Sequence, residues 1–218
     1  MPAEVGSFDM HDGKISVRID AGVQIRLKGQ TVQSAQILPD SDDRLVLGDL
    51  SLLVHRSGER YAVRLKDKNS KYRREFAGLR WFPIDEAYRV TAKFSAYDAP
   101  RDVTIQNQAG DTLKIPSPGY AVFKLAGEEY RLQALDEGNG VLSFVFRDLT
   151  SGKEAYAAAR FLDAPLPKDG RVVLDFNEAY NPPCAYDPYT TCPLPTPENR
   201  LRVRIEAGEM MYRGKHGP

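Results

Sequence analysis

The stretch from Tyr88 to Ala96, with the sequence YRVTAKFSA, alternates apolar and polar residues along its whole length. Its apolar members are Tyr88, Val90, Ala92, Phe94 and Ala96. Successive side chains of a β-strand point to opposite faces of a sheet, so a period of two predicts a strand with one buried face and one wet face. The stretch therefore indicates a β protein.

Shorter stretches with the same alternation recur on both sides of it. They are 15–19, 23–27, 45–54, 61–65, 103–105, 120–125, 130–135, 141–146, 172–176 and 201–205. Turn formers such as Gly127-Glu128 and Asp169-Gly170 separate them, and such short connections favour antiparallel hairpins. Parallel strands would need long crossovers, and no segment has a helical stripe of that length. The predicted fold class is mostly β: an antiparallel barrel-like or sandwich-like sheet with at most one or two short helices.

Two segments deviate from this pattern. Residues 70–76 predict a short helix, with Asn69 or Ser70 as its cap. Residues 153–162 combine alanines that favour a helix with a preceding turn and an Arg160-Phe161-Leu162 end that favour the return strand of a hairpin. We interpret 153–162 as a strand.

The domain organisation follows from the length of 218 residues. A single all-β domain over 1–218 is possible, because sandwiches and barrels run to roughly 200–250 residues as one domain. The alternative is two β lobes that divide near 66–80, where charged residues are dense and core-forming residues are few. Residues 177–199 are expected to form an ordered Pro-rich lid loop, and residues 210–218 a tail.

Composition excludes several classes of partner and location. The 30 basic and 30 acidic side chains balance, whereas a nucleic-acid-binding surface is usually basic, so no nucleic acid is expected. No apolar run approaches the roughly 18 residues of a membrane span, and the polar start lacks the pattern of a signal peptide. We therefore expect no membrane association and a cytoplasmic location. A homo-oligomer remains possible.

The common catalytic motifs are absent from the sequence. It contains no Gly-x-Gly-x-x-Gly, no phosphate-binding Gly-Lys-Ser/Thr loop, no Gly-x-Ser-x-Gly and no His-Glu-x-x-His. Two cysteines are too few for a four-thiolate metal centre. We therefore expect neither a cofactor nor a metal.

The segment 175–199 breaks the alternation, and six of the fifteen prolines fall between Pro182 and Pro197. Proline fixes the backbone angle φ and lowers the entropy of the unfolded chain, so a long loop of this composition can be rigid without secondary structure. Loops longer than about 12–15 residues in compact domains are often functional. The segment is therefore the first place to search for a site.

The strings DFN at 175–177, AYNPPCA at 179–185, CPLP at 192–195 and EN at 198–199 resemble the signature of a bacterial family known as domain of unknown function number 1684. The strings RWFP at 80–83 and FRDLTSG at 146–152, with Tyr156 and Arg160 after the latter, look like the same family. The resemblance covers roughly residues 45–209. It implies no catalytic residue, because the activity of that family is not established.

A polar cluster is expected where this segment meets the sheet. Asp175 and Asn177 share one strand face, and Arg160 lies on the strand expected beside them. Asp148, Thr150, Glu206 and Glu209 can join from adjacent strand ends. In a pocket of this kind Arg160 would bind an anionic group, helped by the side chains of Asp175, Asn177, Tyr180 and Asn181.

Three functions remain open for this cluster. The first is a binding module for a small polar or anionic metabolite, with its pocket under 177–199. The second is an acid/base enzyme, a hydrolase or isomerase, with Asp175 or Glu206 as the base. The third is a structural or interaction protein without a pocket, in which Asp175, Asn177 and Asn181 hydrogen-bond the loop backbone.

Cys184 and Cys192 are the two thiols of the chain. A catalytic cysteine needs a neighbouring base, and His11, His55 and His216 are all remote in sequence. A bridge or redox pair is possible, but a reducing cytoplasm favours buried structural thiols.

Overall fold

The computed structural model of the protein describes residues 4–57 and 60–214. The chain forms two compact units, and the boundary lies between Arg74 and Glu75, inside the charged stretch 66–80. Each unit consists mainly of antiparallel strands in open, sandwich-like sheets. The predicted mostly β, antiparallel fold class is confirmed.

The first unit contains two sheets over a shared core. Its strands are β1 (Gly6–His11), β2 (Lys14–Ile19), β3 (Ile25–Leu27), β4 (Gln30–Val32), β5 (Ser34–Ile37), β6 (Leu45–Leu47), β7 (Leu50–Ser57) and β8 (Arg60–Asp67). One sheet has the order β1-β2-β5 and the other β4-β3-β6-β7-β8. Ile15, Val17 and Ile37 from the first sheet pack with Leu45 and Val54 from the second. The alternating apolar residues thus form one buried layer between two wet faces.

The helix predicted over 70–76 is shorter than expected. Helix α1 spans Lys71–Arg74, and the Ser70 carbonyl accepts hydrogen bonds from the amides of Arg73 and Arg74. None of its residues is buried. Because a helix this short depends on packing for its stability, it ends after one turn.

The second unit contains a four-stranded and a two-stranded sheet. Its strands are β9 (Arg89–Gln106), β10 (Thr112–Leu125), β11 (Glu128–Gln133), β12 (Val141–Phe146), β13 (Arg160–Pro165) and β14 (Arg171–Asp175). The larger sheet has the order β11-β10-β9-β14, and β12 pairs with β13. Short 3-10 turns lie at Glu86–Tyr88, Phe176–Glu178, Pro183–Ala185 and Pro197–Asn199.

The core of the second unit lies between these two sheets. Phe144 and Leu162 of the small sheet are buried against Ala121 and Leu174 of the large one. The ring of Phe176 connects the layers, with its centroid 5.5 Å from that of Phe123 and 5.6 Å from that of Phe146. These are the apolar positions of the strands predicted from the sequence.

A β-bulge interrupts the long hairpin of β9 and β10. The pairing register shifts between Ser117 and Gly119. Gly119 has φ of 157°, and a Cβ there would collide with the Ser95 carbonyl and lie 2.8 Å from the Ala96 Cα. Only glycine tolerates so close a backbone approach, and the bulge changes the direction of the strands beyond it.

Two predicted strands of the second unit differ in the structure, one in part and one throughout. Residues 153–159 lie in turns, bends and an isolated bridge of Ala155 with Ser151, and β13 begins only at Arg160. The strand interpretation of 153–162 is therefore wrong for its first seven residues. The amides of Lys153, Glu154 and Ala155 all donate to the Thr150 carbonyl, which closes the chain into a turn.

Residues 201–205 are also outside any strand, although their side chains alternate between buried and exposed as predicted. The alternation in burial is therefore present although the segment is not a β-strand. The backbone of this segment must find other hydrogen-bond partners, because buried peptide groups are costly to leave unpaired.

The Pro-rich segment 177–199 packs along the second unit. The Leu194 amide donates to the Gln106 carbonyl over 2.8 Å, and the Gln108 amide donates to the Cys192 carbonyl over 3.2 Å. Its end is fixed by the buried side chain of Asn199, which accepts from the Gln133 amide and donates to the carbonyls of Gln133 and Val145. Met210 and Met211 in the predicted tail donate backbone hydrogen bonds to Arg80 and Glu154, and residues 215–218 lie outside the described residues.

Candidate functional site

Arg160, the first predicted binding residue, is the first residue of β13 and is fully buried. Its Nη1 lies 3.3 Å from Oδ1 of the buried carboxylate of Asp148. Its guanidinium also donates to the Ile205 carbonyl over 3.0 Å and to the Ala207 carbonyl. Burial lowers the pKa of Arg160, while the charge of Asp148 opposes that shift.

The carboxylate of Asp148 completes this network. It accepts from the Thr150 amide and hydroxyl, from the Ser151 hydroxyl, and from the Ile205 amide over 2.7 Å. Arg160 and Asp148 together therefore bind the backbone of 205–207, which pairs with no strand in the described part of the chain. The expected membership of Asp148 and Thr150 in the cluster agrees with this geometry.

Asp175 and Asn177 form a separate cluster at the end of β14. Asp175 Oδ1 accepts from the Asn177 amide and side chain, and its Oδ2 lies 3.3 Å from Nε of Arg89. Asn177 in turn accepts from the Asp85 amide and donates to the Asp85 carbonyl, each over 3.0 Å. These groups connect 175–177 to the chain that leads into β9.

Tyr180 lies beside β13. Its backbone exchanges two hydrogen bonds with Phe161, and its hydroxyl donates to Oδ2 of Asp163 over 3.0 Å. Burial, together with this carboxylate, raises the pKa of Tyr180 to about 12. The Tyr180 hydroxyl is therefore uncharged at neutral pH, and Asp163 accepts its hydrogen bond.

Asn181 anchors the start of the Pro-rich segment. Its amide donates to Oε2 of Glu209 over 2.9 Å, and its side chain donates to the Met210 carbonyl over 2.8 Å. The other oxygen of the buried Glu209 carboxylate accepts from the Tyr186 hydroxyl. Burial and this carboxylate raise the pKa of Tyr186. The nearby Gly208 has φ of 77°, where a Cβ would lie 2.7 Å from the Phe176 carbonyl oxygen.

The two thiols are buried in a small cluster with Tyr156 and Ala185, and no disulfide joins them. The Cys184 amide lies 3.3 Å from Sγ of Cys192, which accepts its hydrogen bond. Hydrogen bonding with Cys192 and burial raise the pKa of the Cys184 thiol. Since the thiolate is the nucleophile, this environment suits structural thiols.

Glu206, the second catalytic candidate, is exposed. Its Oε1 lies 2.6 Å from Nη2 of Arg204, which is also 3.0 Å from the carboxylate of Glu154. Glu206 is therefore part of a surface ion-pair group, apart from the contacts of Arg160 and Asp175.

The predicted site residues thus belong to several separate clusters. Within the described residues, none of Arg160, Asp175, Asn177, Tyr180 and Asn181 lines the two cavities that are described below. Arg160 and Asp175 have different partners and do not form an ion pair with each other. The arrangement chiefly holds the irregular segments 175–199 and 201–209 on the sheets.

The larger cavity lies on the face of β9, β10 and β11, next to the bulge. It has a volume of about 500 Å³ and is open to solvent. We call it the tyrosine groove. It is lined by Tyr97, Asp102, Val103, Thr104, Tyr120, Arg131, Gln133, Thr196, Pro197 and Glu198.

The aromatic rings of the groove are held by their neighbours. The rings of Tyr97 and Tyr120 lie 6.0 Å apart, and the Tyr97 hydroxyl accepts from the Gln133 side chain over 3.3 Å. The guanidinium of Arg101 lies 4.3 Å from the Tyr97 ring centroid, and that of Arg131 lies 5.9 Å from the Tyr120 centroid. Such cation–π contacts orient the rings at little cost.

One residue that lines the groove carries an unsatisfied polar atom. The hydroxyl oxygen of Thr196 is buried and has no hydrogen-bond partner among the described residues. A buried hydroxyl without a partner is unfavourable.

The alternating stretch ends at Ala96, one residue before Tyr97, so the sequence pattern does not indicate the groove. A useful signal was present in Gly119, since an isolated glycine inside a strand pattern marks a bulge or a close backbone approach. Thr196 and Glu198 belong to the segment that was singled out, but their partners on the sheet could not be identified from the sequence.

A metal centre has no support in the described ranges. No group of three or more histidine, cysteine, aspartate or glutamate side chains there could hold a metal ion. Among the same residues, no helix has the length and apolar character needed to cross a membrane.

The second unit is an antiparallel β domain that carries a Pro-rich segment and an open polar groove. The chain belongs to the family described as Protein of unknown function (DUF1684), whose model matches residues 74–210. This confirms the family resemblance identified from the sequence. The matched region corresponds closely to the second unit.

A solved structure is also similar. The solution NMR structure of an uncharacterized protein from Haloarcula marismortui shares 33% identity with the chain, with a TM-score of 0.53. The match covers 63% of this chain and 78% of that one. No curated protein matches the chain.

Proposed function

We propose that the second unit binds a small polar molecule in the tyrosine groove. The observation that carries this proposal is the pair of oriented rings, Tyr97 and Tyr120, in an open cavity of about 500 Å³. Ligand sites in proteins are typically concave, with volumes of about 300–1,000 Å³, and combine aromatic walls with a few polar groups.

The lining favours a flat molecule with hydrogen-bonding groups at its edge. The tyrosine rings offer faces for stacking, Arg131 and Gln133 offer donors, and the carboxylate of Asp102 offers acceptors. The end of the Pro-rich segment, 196–198, forms one wall.

The alternative of an acid/base enzyme has less support. Asp175 and Glu206, its two candidate bases, each face an arginine at ion-pair distance. A general base must reach a substrate proton, and neither carboxylate lines a described cavity.

A thermal-shift screen tests the proposal. The full chain is mixed with a panel of sugars, nucleosides, amino acids and organic acids, because a molecule that binds only the folded state raises the unfolding temperature. At least one compound is expected to stabilise the native chain and to lose its effect on Tyr97→Ala and Tyr120→Ala.

Tyr189→Ala is the matched control, since Tyr189 is 83% exposed and lies outside the groove. It is expected to respond as the native chain does. Compounds that stabilise both groove variants as strongly as the native chain would contradict the proposal, as would a panel without any stabilising compound.

A further inference from the structure

A second cavity in the same unit has a different chemical character. It has a volume of about 330 Å³ and is lined by Arg147, Tyr156, Ala157, Ala158 and Met211. None of these residues lines the tyrosine groove. Apart from the guanidinium of Arg147 and the hydroxyl of Tyr156, the lining side chains are apolar.

The hydroxyl of Tyr156 is already paired. It donates to the Cys184 carbonyl over 3.2 Å and accepts from the Gln108 side chain over 3.2 Å. Burial raises the pKa of Tyr156 to about 12, so the hydroxyl carries no charge at neutral pH. Tyr156 therefore contributes the apolar surface of its ring to the cavity.

Arg147 has no such partner. It follows β12 directly and is half-buried, and its side chain has no ion pair or hydrogen bond with the parts of the chain that the structure describes. Three carboxylates of the unit have other partners, although Oε2 of Glu154 is buried without a partner among the described residues. Asp148 pairs with Arg160, Glu154 pairs with Arg204, and Glu209 accepts from Asn181 and Tyr186.

The cavity exists because of the local sequence. The turn at 153–155 takes the chain away from the sheet, and Ala157 and Ala158 then present only methyl groups. Larger side chains at these positions would fill the space. The alanines that made 153–162 ambiguous in the sequence thus form a wall of the cavity.

For a half-buried guanidinium with free donors, an anion is the most favourable ligand. The reason is that charge-assisted hydrogen bonds to a carboxylate are about twice as strong as hydrogen bonds between neutral groups. The apolar walls favour a hydrocarbon group, because removing apolar surface from water is favourable. We propose that this cavity is a second binding site, which takes a small carboxylate with a short apolar tail, the carboxylate on Arg147 and the tail against Tyr156, Ala158 and Met211.

Isothermal titration of the full chain with hexanoate tests this site, with hexanol as the neutral probe of the same length. Hexanoate is expected to bind saturably, and roughly tenfold or more tightly than hexanol, from the ordinary strength of a hydrogen bond between charged groups. Hexanol that binds as tightly as hexanoate would overturn the proposal, as would hexanoate that does not bind.

Substitutions in and beside the cavity test where hexanoate binds. Arg147→Met keeps the length of the side chain and removes its charge, and is expected to weaken hexanoate binding by roughly tenfold or more. Arg200→Met is the matched control, because Arg200 is the exposed bridge partner of Arg147 and does not line the cavity. Equal affinity of hexanoate for the native chain and Arg147→Met would overturn the proposal.

Ala157→Leu serves as a second variant. Ala157 is exposed, so the fold should tolerate leucine there, and the larger side chain is expected to occupy the cavity and abolish binding. Tyr120→Ala, in the tyrosine groove, is expected to leave hexanoate binding unchanged. Loss in Tyr120→Ala with retention in Ala157→Leu would assign hexanoate to the groove and overturn the second site.

Discussion

The Arg160–Asp148 network and the tyrosine groove use similar residue types in opposite ways. In the network both charged groups are buried, and they bind each other and the backbone of 205–207. In the groove Arg131 is exposed, its ring partner Tyr120 is half-buried, and a cavity adjoins both. A buried charge with backbone partners supports the fold, whereas exposed charges beside a cavity leave donors for a ligand.

The largest effect is expected at Asp148. Asp148→Ala removes the only ion-pair partner described for the buried guanidinium of Arg160, and breaking a buried pair in this way costs about 3–5 kcal/mol. The free energy of unfolding measured in urea should fall by that amount.

Two further variants sharpen this prediction. Glu206→Ala removes a carboxylate from an exposed pair and should cost less than about 1 kcal/mol. Replacing both partners, as Asp148→Leu with Arg160→Met, should not restore stability, because the Ile205 amide and the Ala207 carbonyl also lose their partners. A fully stable double variant would show that the pair does not support 205–207.

The next effect is expected at Asn199. Its buried amide group makes three hydrogen bonds to the backbone of Gln133 and Val145, so Asn199→Ala leaves peptide groups unpaired at a cost of about 1–3 kcal/mol. Unfolding in urea measures this loss of stability. The control is Asn139→Ala, which lies in an exposed turn. Similar losses from both variants would contradict an anchoring role for Asn199.

A further effect on stability is expected from pH. The pKa of Tyr156 and of Tyr180 is raised from 10.0 to about 12 in the folded state, so between these values the unfolded chain releases protons that the folded chain retains. Stability should therefore be unaffected by these groups below pH 10 and should fall as the pH rises toward 12.

Thermal unfolding measured between pH 9 and 12 is the check. Tyr156→Phe and Tyr180→Phe should each make the alkaline loss of stability shallower, because phenylalanine has no proton to release. Equal slopes for both variants and the native chain would contradict the assigned environments.

The smallest effect on stability is expected in the groove. Arg131 is exposed, so Arg131→Ala should change the free energy of unfolding by less than about 0.5 kcal/mol. Calorimetry on the native chain and the variant checks this. A loss as large as that of Asp148→Ala would place Arg131 among the supports of the fold and remove the contrast between the two regions.

The sequence predicted the fold class well, because the period-two alternation of stretches such as 88–96 depends only on local burial. It predicted 201–205 as a strand for the same reason, and the side chains there do alternate in burial. Alternation cannot reveal that Leu201 and Val203 bond to the backbone of Arg147 and Leu149. Nor can it reveal that the backbone of Ile205 bonds to the side chains of Asp148 and Arg160. That information depends on contacts between residues distant in sequence.

The candidate site was predicted less well. The sequence indicates Arg160, Asp175, Asn177 and Asn181 as ligand-binding residues, and the structure gives each of them hydrogen-bond partners within the chain. The same chemistry can serve a ligand or a loop backbone. Choosing between these roles requires knowledge of where a cavity lies. The cavity in turn depends on the bulge at Gly119 and the path of 196–198, which are tertiary features.

The most direct test of the central contrast is a map of amide chemical shifts of the isotope-labelled chain, with the compound that gives the largest thermal shift added stepwise. The account predicts that the largest changes fall on Tyr97, Tyr120 and Gln133, with little change at Arg160, Ile205 and Ala207. Changes concentrated at Arg160, Ile205 and Ala207, with an unaffected groove, would contradict it.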